Sequence, residues 1–351
     1  VLEMAILPNG DGAVIETEKL GVTRYDMGDT RIYRIGVESL PRHVTNVYLI
    51  LDGEASLVDV GFGSEKGIED LTRGLNVVNR EFKEDVGFQD IASVVITHGH
   101  GDHFGMLEYP KLKGKKLYMH PLDTKVLMDY SGQYRDWKRH MGSLAEEAGC
   151  NVDLDQLFPS DRLDVHPGDY DLVEVSHGQK IISGYEVCHT PGHSPGHICL
   201  RVGPVLLLGD HILSVTTPHQ VPASGWQGVG LDVYIASLRK AAACGAQLGL
   251  AAHEDTVYSI KRRAEEIEAF HFVRLEELLG CLAGEKNLYQ LAYDYYRRHP
   301  EFTHARSVDD LVVDDKLLAL EEMKAHVEYL LNDNKARVTG TQNGIVRYQA
   351  T

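Results

Sequence analysis

The sequence predicts an α/β (α+β) protein in which two strand-and-helix layers face one another and a small helical unit follows. Three observations predict it. β-Branched and aromatic runs cluster in two separate stretches, one before Val60 and one after Asp171. Metal-ligand and acid–base residue types stand where apolar runs stop, the usual place for functional groups in layered α/β folds. A long helical pattern near the C-terminus is then followed by shorter helices and a hairpin. With 351 residues the chain exceeds the usual single-domain size, so a large domain over 1–271 and a smaller one over 272–351 are expected.

In order, Thr30–Gly36, Val44–Leu51 and Ser56–Val60 read as an N-terminal meander, with a turn at Asp52-Gly53. Asp59 closes the last strand. It reads either as a hydrogen-bond anchor or as an acid that orients a ligand histidine. Residues 64–81 carry Ile68, Leu71, Leu75 and Val78 at helical spacing, a face that can lie against a sheet. Val94–Ile96 is a short buried strand, Lys116–Met119 another, and Leu122–Tyr130 a helix; His120 between the last two reads as packed or solvated.

Residues 130–168 interrupt this rhythm with Tyr134, Arg135, Trp137, Lys138, Arg139 and His140 close together. They read as a substrate wall, with Arg135, Trp137 and Arg139 supplying shape and charge, or as a surface helix over Tyr134–Gly149 with Trp137 and Met141 facing inward. The second strand-rich run passes through Val173, Ile181, Val187, Ile198, Leu200 and Leu207. At its strand ends stand His193, Asp210 and His253. Ser259–Leu282 is a long helix whose Leu275, Leu278, Leu279 and Leu282 need a cover, from the tail or from a second copy in a homodimer. Helical stretches at Leu288–Arg298, Val308–Leu311 and Lys316–Leu331 and a hairpin at 335–338 and 344–348, turning over Gly340–Asn343, give a winged-helix-like outline. Its acidic character favours packing over DNA binding.

The richest chemistry lies in Thr-His-Gly-His-Gly-Asp-His. His98, His100, Asp102 and His103 follow a strand directly, and Gly99 and Gly101 are expected to supply positive φ in a tight, non-helical segment. Imidazole and carboxylate without cysteine suit zinc, manganese or iron. His197 faces substrate or satisfies a backbone carbonyl, while His189 and His211 fill no ligand position.

A formal charge of −17 opposes non-specific attraction to nucleic acid or anionic membrane. The five cysteines are odd in number and form no Cys-x-x-Cys pair, so reduced thiols and a cytosolic protein are expected. Val1–Gly10 lacks a signal pattern, and no apolar run approaches the ~20 residues that span a bilayer.

Over Arg31–His271 the chain resembles the metallo-β-lactamase-fold superfamily. The His-x-His-x-Asp-His signature stands as His98, His100, Asp102 and His103. His193, Asp210 and His253 follow in order, and Asp59 holds the place of the first motif. The resemblance implies an αββα sandwich and two divalent ions, zinc foremost, with iron or manganese as alternatives. One ion would sit on His98, His100 and His193, the other on Asp102, His103 and His253, with Asp210 bridging and Asp102 able to take a proton. Ala252-His253-Glu254 departs from the more familiar Gly-His-Gly, and the tail resembles that of the lactamase-like endoribonucleases in outline but not in charge.

The function this implies is hydrolysis of a small ester or thioester, such as an acyl-glutathione or acyl-coenzyme A. An endoribonuclease or phosphodiesterase, a single-iron persulfide dioxygenase and a non-catalytic sensor are the alternatives.

Overall fold

The structure, a computed structural model, describes residues 2–5, 13–41, 43–157, 163, 165–300 and 307–351. Nine strands form one sheet in sequence order: β1 (Leu2–Ala5), β2 (Ile15–Lys19), β3 (Val22–Asp26), β4 (Arg31–Leu40), β5 (His43–Asp52), β6 (Glu54–Val58), β7 (Ile91–Val95), β8 (Lys116–Met119) and β9 (Asp171–Glu174). Pairing is antiparallel to β6 and parallel from β6 to β9. The run at Asp171, expected to open the second half, is instead the last strand of the first sheet, pairing Lys116 with Asp171 and Met119 with Glu174. A β-branched run signals a strand but not its neighbour.

The second sheet has five strands: β10 (Lys180–Ile181), β11 (Tyr185–His189), β12 (Ile198–Val202), β13 (Val205–Gly209) and β14 (Leu248–Ala251). β13 and β14 run parallel and are buried throughout, which explains their unbroken apolar sequences. Ile32, Ile50, Val58 and Val95 of the first sheet meet Val187, Leu200, Leu207 and Leu250 of the second in one inter-sheet core. Asn46 and Tyr48 fasten the sheets together through hydrogen bonds to the Ala251 carbonyl at 3.0 and 2.6 Å.

Helix α1 (Glu65–Phe82) starts on Ser64, whose hydroxyl accepts from the Gly67 N–H, and buries Leu71, Leu75 and Val78 on the outer face of the first sheet. A short α2 (Gly101–Phe104) follows β7. α3 (Pro121–Met128) and α4 (Tyr130–Ala148) follow β8. α5 (Leu231–Ala243) and α6 (Ile260–Cys281) cover the second sheet, completing the four layers. Among the described residues no helix is long and apolar enough to cross a membrane.

α6 runs unbroken through residue 271, the expected domain boundary. Beyond it come β15 (Lys286–Asn287), α7 (Leu288–Arg298), α8 (Val313–Asn332), β16 (Ala336–Gln342) and β17 (Ile345–Ala350), the strands forming a sheet of order β15-β17-β16. The hairpin turns at Asn343-Gly344, both at positive φ, and not over Gly340–Asn343. Leu275, Leu278 and Leu282 are buried with Leu291, Leu320 and Met323 in a core that continues to Met141 and Leu144 of α4. The tail of the same chain therefore covers the leucine face of α6.

Candidate metal centre

The loops that leave β6, β7, β11, β13 and β14 meet at one edge of the sandwich and bring seven ligand-type side chains together. His98 Nε2 and His193 Nε2 lie 2.9 and 3.1 Å from His100 Nδ1, and Asp210 Oδ2 stands 3.9 Å from His98 and 3.6 Å from His193. Nitrogens bound at about 2.0 Å to a tetrahedral ion stand about 3.3 Å apart, so this spacing is of the size one ion needs. Beside it, His253 Nε2 lies 3.3 Å from both Asp102 Oδ2 and Asp210 Oδ1, and His103 Nε2 lies 3.5 Å from Asp102 and from Asp210. Asp210 faces both groups.

The far side of each ring is tied to a fixed acceptor. His98 Nδ1 donates to the Thr97 hydroxyl at 3.1 Å, which donates in turn to Asp59 at 2.9 Å. His103 Nδ1 donates to Asp59 at 2.9 Å, His193 Nδ1 to the His219 carbonyl at 3.1 Å, and His253 Nδ1 to the Val44 carbonyl at 2.7 Å. In all four rings Nδ1 is tied outward and Nε2 faces the centre, the arrangement typical of ligating histidines. Asp59 is thus both the strand-end anchor and the acid that orients a histidine. It holds a φ of 55°, where non-glycine residues are uncommon.

The chemistry of these donors fits divalent ions. His103 Nε2 and Asp210 Oδ1 are buried without a hydrogen-bond partner, an arrangement that costs stability unless something else satisfies them. Burial, reinforced by neighbouring imidazoles, holds His98 well below the usual histidine range, leaving a neutral donor. Burial also opposes charge on His253, but Asp210 and Asp102 outweigh it and push its pKa up to about 10. Their paired carboxylates attract a positive charge to that spot. An ion would take the place of the proton.

The glycines in the His98–His103 segment act through space and not through positive φ. Neither Gly99 nor Gly101 lies in the left-handed region. A Cβ at Gly99 would come within 3.0 Å of Val126, and one at Gly101 within 3.1 Å of Leu163. The segment is also not wholly irregular, because Asp102 and His103 sit in the turn of α2. Glu254, where the family pattern has glycine, does adopt a φ of 64°. Its carboxylate accepts from Ser214, Val215 and Thr216, clamping the loop beyond Asp210.

Three expected substrate contacts stand elsewhere. His197 is fully buried, its Nδ1 2.9 Å from the Thr190 hydroxyl and its Nε2 accepting from the Asp210 N–H at 3.1 Å, so it supports the Asp210 turn from behind. Arg135 and Arg139 lie on the exposed side of α4, and Arg139 pairs with Asp136 at 3.1 Å. Helix phase is the reason: two residues along a helix is about 200°, so Arg135 and Arg139 diverge from Trp137. Of the residues expected in the 130–168 insertion, 158–162 and 164 lie outside the described residues. His211 packs its ring against Tyr234, and His120 stacks on His189 at 4.0 Å.

Other functional candidates carried no sequence signal. His43, half exposed at the start of β5, donates to Asp102 at 3.0 Å, and its ring lies tilted against His253 at 4.4 Å. Asp123, buried in the first turn of α3, accepts from Gly99 N at 2.9 Å, Ser194 Oγ at 2.6 Å and Gly196 N at 2.6 Å. It ties the His98–His100 loop to the His193 loop. A Cβ at Gly196 would come within 2.7 Å of Asp123, so only glycine permits this approach. His219 sits between two acids of α8, with Nε2 2.8 Å from Glu321 and Nδ1 3.6 Å from Glu322. Burial opposes its charge, but these bonds push its pKa up to about 10.

A cavity of about 480 Å³ opens against His100 and His193. α4 contributes Tyr130, Tyr134 and Trp137 to it, the loop before α5 contributes Trp226, and α8 contributes Leu318 and Glu321. Trp137 thus faces the cavity.

A protein with this four-layer fold and this cluster of histidines and aspartates belongs to the metallo-beta-lactamase superfamily, whose family model matches residues 40–248. Among curated proteins the chain is 30% identical over 190 residues to one described as "Probable metallo-hydrolase YflN" of Bacillus subtilis, covering 51% of this chain and 65% of that one. It is 29% identical over 163 residues to an uncharacterized protein of Aquifex aeolicus, covering 45% and 59%. The match thus spans under two thirds of either relative. A metallo-beta-lactamase family protein of Thermus thermophilus, TTHA1429, superposes with a TM-score of 0.73 at 25% identity, covering 91% of this chain and 98% of that one. A beta-lactamase domain protein of Burkholderia ambifaria superposes at 0.71 with 21% identity and 95% coverage of each chain, a likeness of fold.

Proposed function

We propose that the protein is a hydrolase that holds two divalent metal ions, zinc foremost, and cleaves a small ester or thioester. The observation that carries this is the set of four histidines whose Nδ1 atoms are tied outward while every Nε2 faces one centre. His98, His100 and His193 would hold one ion and Asp102, His103 and His253 the other, with Asp210 between them. When bound, such a pair lowers the pKa of water toward neutrality and polarises the bond under attack.

The chain's own residues do the rest. Asp59, Thr97 and the His219 and Val44 carbonyls fix the rings, so little reorganisation remains at the moment of reaction. Asp102 accepts a hydrogen bond from His43, which is half exposed and links it toward solvent. The cavity beside His100 and His193 receives one half of the substrate. Among the described residues no lysine or arginine lines it, which weighs against a phosphodiester or an RNA strand, as does the net charge of −17. Five unpaired cysteines support a reducing compartment, the cytosol. A winged-helix-like tail remains our reading of α6–α8 with β15–β17.

Protein purified without added metal should contain two ions per chain and hydrolyse esters or thioesters, and His98→Ala should lose both properties while keeping its circular dichroism. One iron with oxygen consumption would instead establish a dioxygenase. Metal-dependent cleavage of bound RNA would establish a nuclease.

A further inference from the structure

The wall of the cavity decides what can lie against the metal centre. Apart from the loops of the centre and from Asp123, Gln133, His219 and Glu321, its described lining is aromatic or aliphatic, with Tyr130, Tyr134, Trp137 and Trp226 beside Val126 and Val229. Trp137 stacks on Tyr134 at 5.6 Å, and Trp226 meets His140 edge-on at 4.5 Å. The charged groups in the wall are already matched. Glu321 lies 2.8 Å from His219 and 3.3 Å from His140, and both nitrogens of His219 face carboxylates of α8. An anionic ligand head would therefore give up part of its water with no lysine or arginine among the described lining residues to compensate it. A neutral ring incurs no such cost and gains edge-to-face or offset contacts with the aromatic wall.

We propose that the cavity binds a neutral, apolar, ring-bearing group, and that this group is the half of the substrate that enters the site. The proposal rests on the hydrolase reading only in calling that group part of a substrate. The phosphates and carboxylates of coenzyme A and glutathione find no cationic partner among the described lining residues and would lie outside the cavity. α8 completes the wall through Leu318 and Glu321, so the C-terminal segment takes part in selecting the substrate.

The test uses a property of this chain. It has two tryptophans, Trp137 and Trp226, and both line the cavity, so its intrinsic tryptophan fluorescence reports on that space. The full-length protein is titrated with 4-nitroanisole, 4-nitrobenzenesulfonate and 4-nitrobenzyltrimethylammonium, which share a quenching ring and differ in charge. Saturable quenching by the neutral probe is expected, with a Kd at least tenfold lower than for either charged one. Val221→Phe and Val229→Phe, which fill the space from two points of the loop before α5, should each weaken that binding at least fivefold with metal content unchanged. Equal or tighter binding of a charged probe, unsaturable quenching by all three, or no effect in the folded filling variants overturns the proposal. Turnover is scored separately. Saturable neutral binding with no ester or thioester cleaved removes the hydrolase and keeps the cavity assignment. Cleavage confined to coenzyme A or glutathione thioesters, without neutral binding, does the reverse.

Discussion

Asp123→Ala removes one buried carboxylate that accepts from Gly99 N, Ser194 Oγ and Gly196 N. The serine hydroxyl can rotate to another acceptor, but the two backbone N–H groups cannot. Each orphaned buried donor costs about 1–3 kcal/mol, so the loss is about 2–6 kcal/mol before relaxation. Burial already works against the charged form and raises the Asp123 pKa, so removing the carboxylate recovers part of that loss. A net destabilisation of about 2–4 kcal/mol remains. Asp123→Asn is milder, about 1–3 kcal/mol, because in either amide orientation one backbone N–H faces an NH₂ group. The same bonds join the loop of His98 and His100 to that of His193, so metal affinity should fall in the same order, wild type above Asn above Ala. Urea midpoints with and without metal, together with metal titrations, measure both effects. If both variants stay within about 0.5 kcal/mol of wild type, the range of an ordinary surface substitution, and bind metal equally well, Asp123 does not couple the loops.

His193→Ala should reduce bound metal from two ions to one or none without unfolding the protein, checked by metal analysis and circular dichroism on one sample. Arg135→Ala combined with Arg139→Ala should change KM and kcat less than about twofold, because surface substitutions away from a site have small effects; a tenfold rise in KM would place the exposed face of α4 in the binding path. Arg274→Met takes the guanidinium partner from the partly buried Glu322 carboxylate, leaving it His219, and should cost at most about 3–5 kcal/mol near neutral pH. Burial disfavours the Glu322 carboxylate, but Arg274 and His219 outweigh it and hold its pKa below the usual range. The stability this contributes is present above the unfolded carboxylate pKa of about 4.3 and is lost as pH falls toward the folded value. In the variant the acid, left with His219 alone, protonates more readily. The gap between wild type and variant should therefore narrow as pH falls toward about 4.5, and a gap independent of pH would show that Arg274 acts by packing alone.

The sequence by itself determined the features that local chemistry dictates. Ser64 and Ser259 cap helices at the expected starts because a hydroxyl can satisfy an N–H three residues on. Val94–Ile96 and Val205–Leu208 are buried on both faces, as unbroken apolar runs require. His98, His100, Asp102, His103, His193, Asp210 and His253 converge where the apolar runs end, and their residue types alone marked them as donors. Trp137 separates from Arg135 and Arg139 through helix phase, which a stricter use of the 3.6-residue period would have shown.

The tertiary structure alone decided how distant segments meet. β9 looks in sequence like the opening of the second sheet, yet it pairs with β8, because alternation and β-branching record burial and not the identity of a partner. Asp123 and Glu321 sit in helices where acids are commonplace, and His43 opens a strand as a solitary histidine; no local pattern sets them apart. Their roles arise from hydrogen bonds and ion pairs to Gly196, His219 and Asp102, across separations of 73, 102 and 59 residues. Such contacts follow from the packing of whole layers. The choice of donor was therefore local to the sequence, while the support that aims each donor was settled only when the sheets and α8 closed around the site.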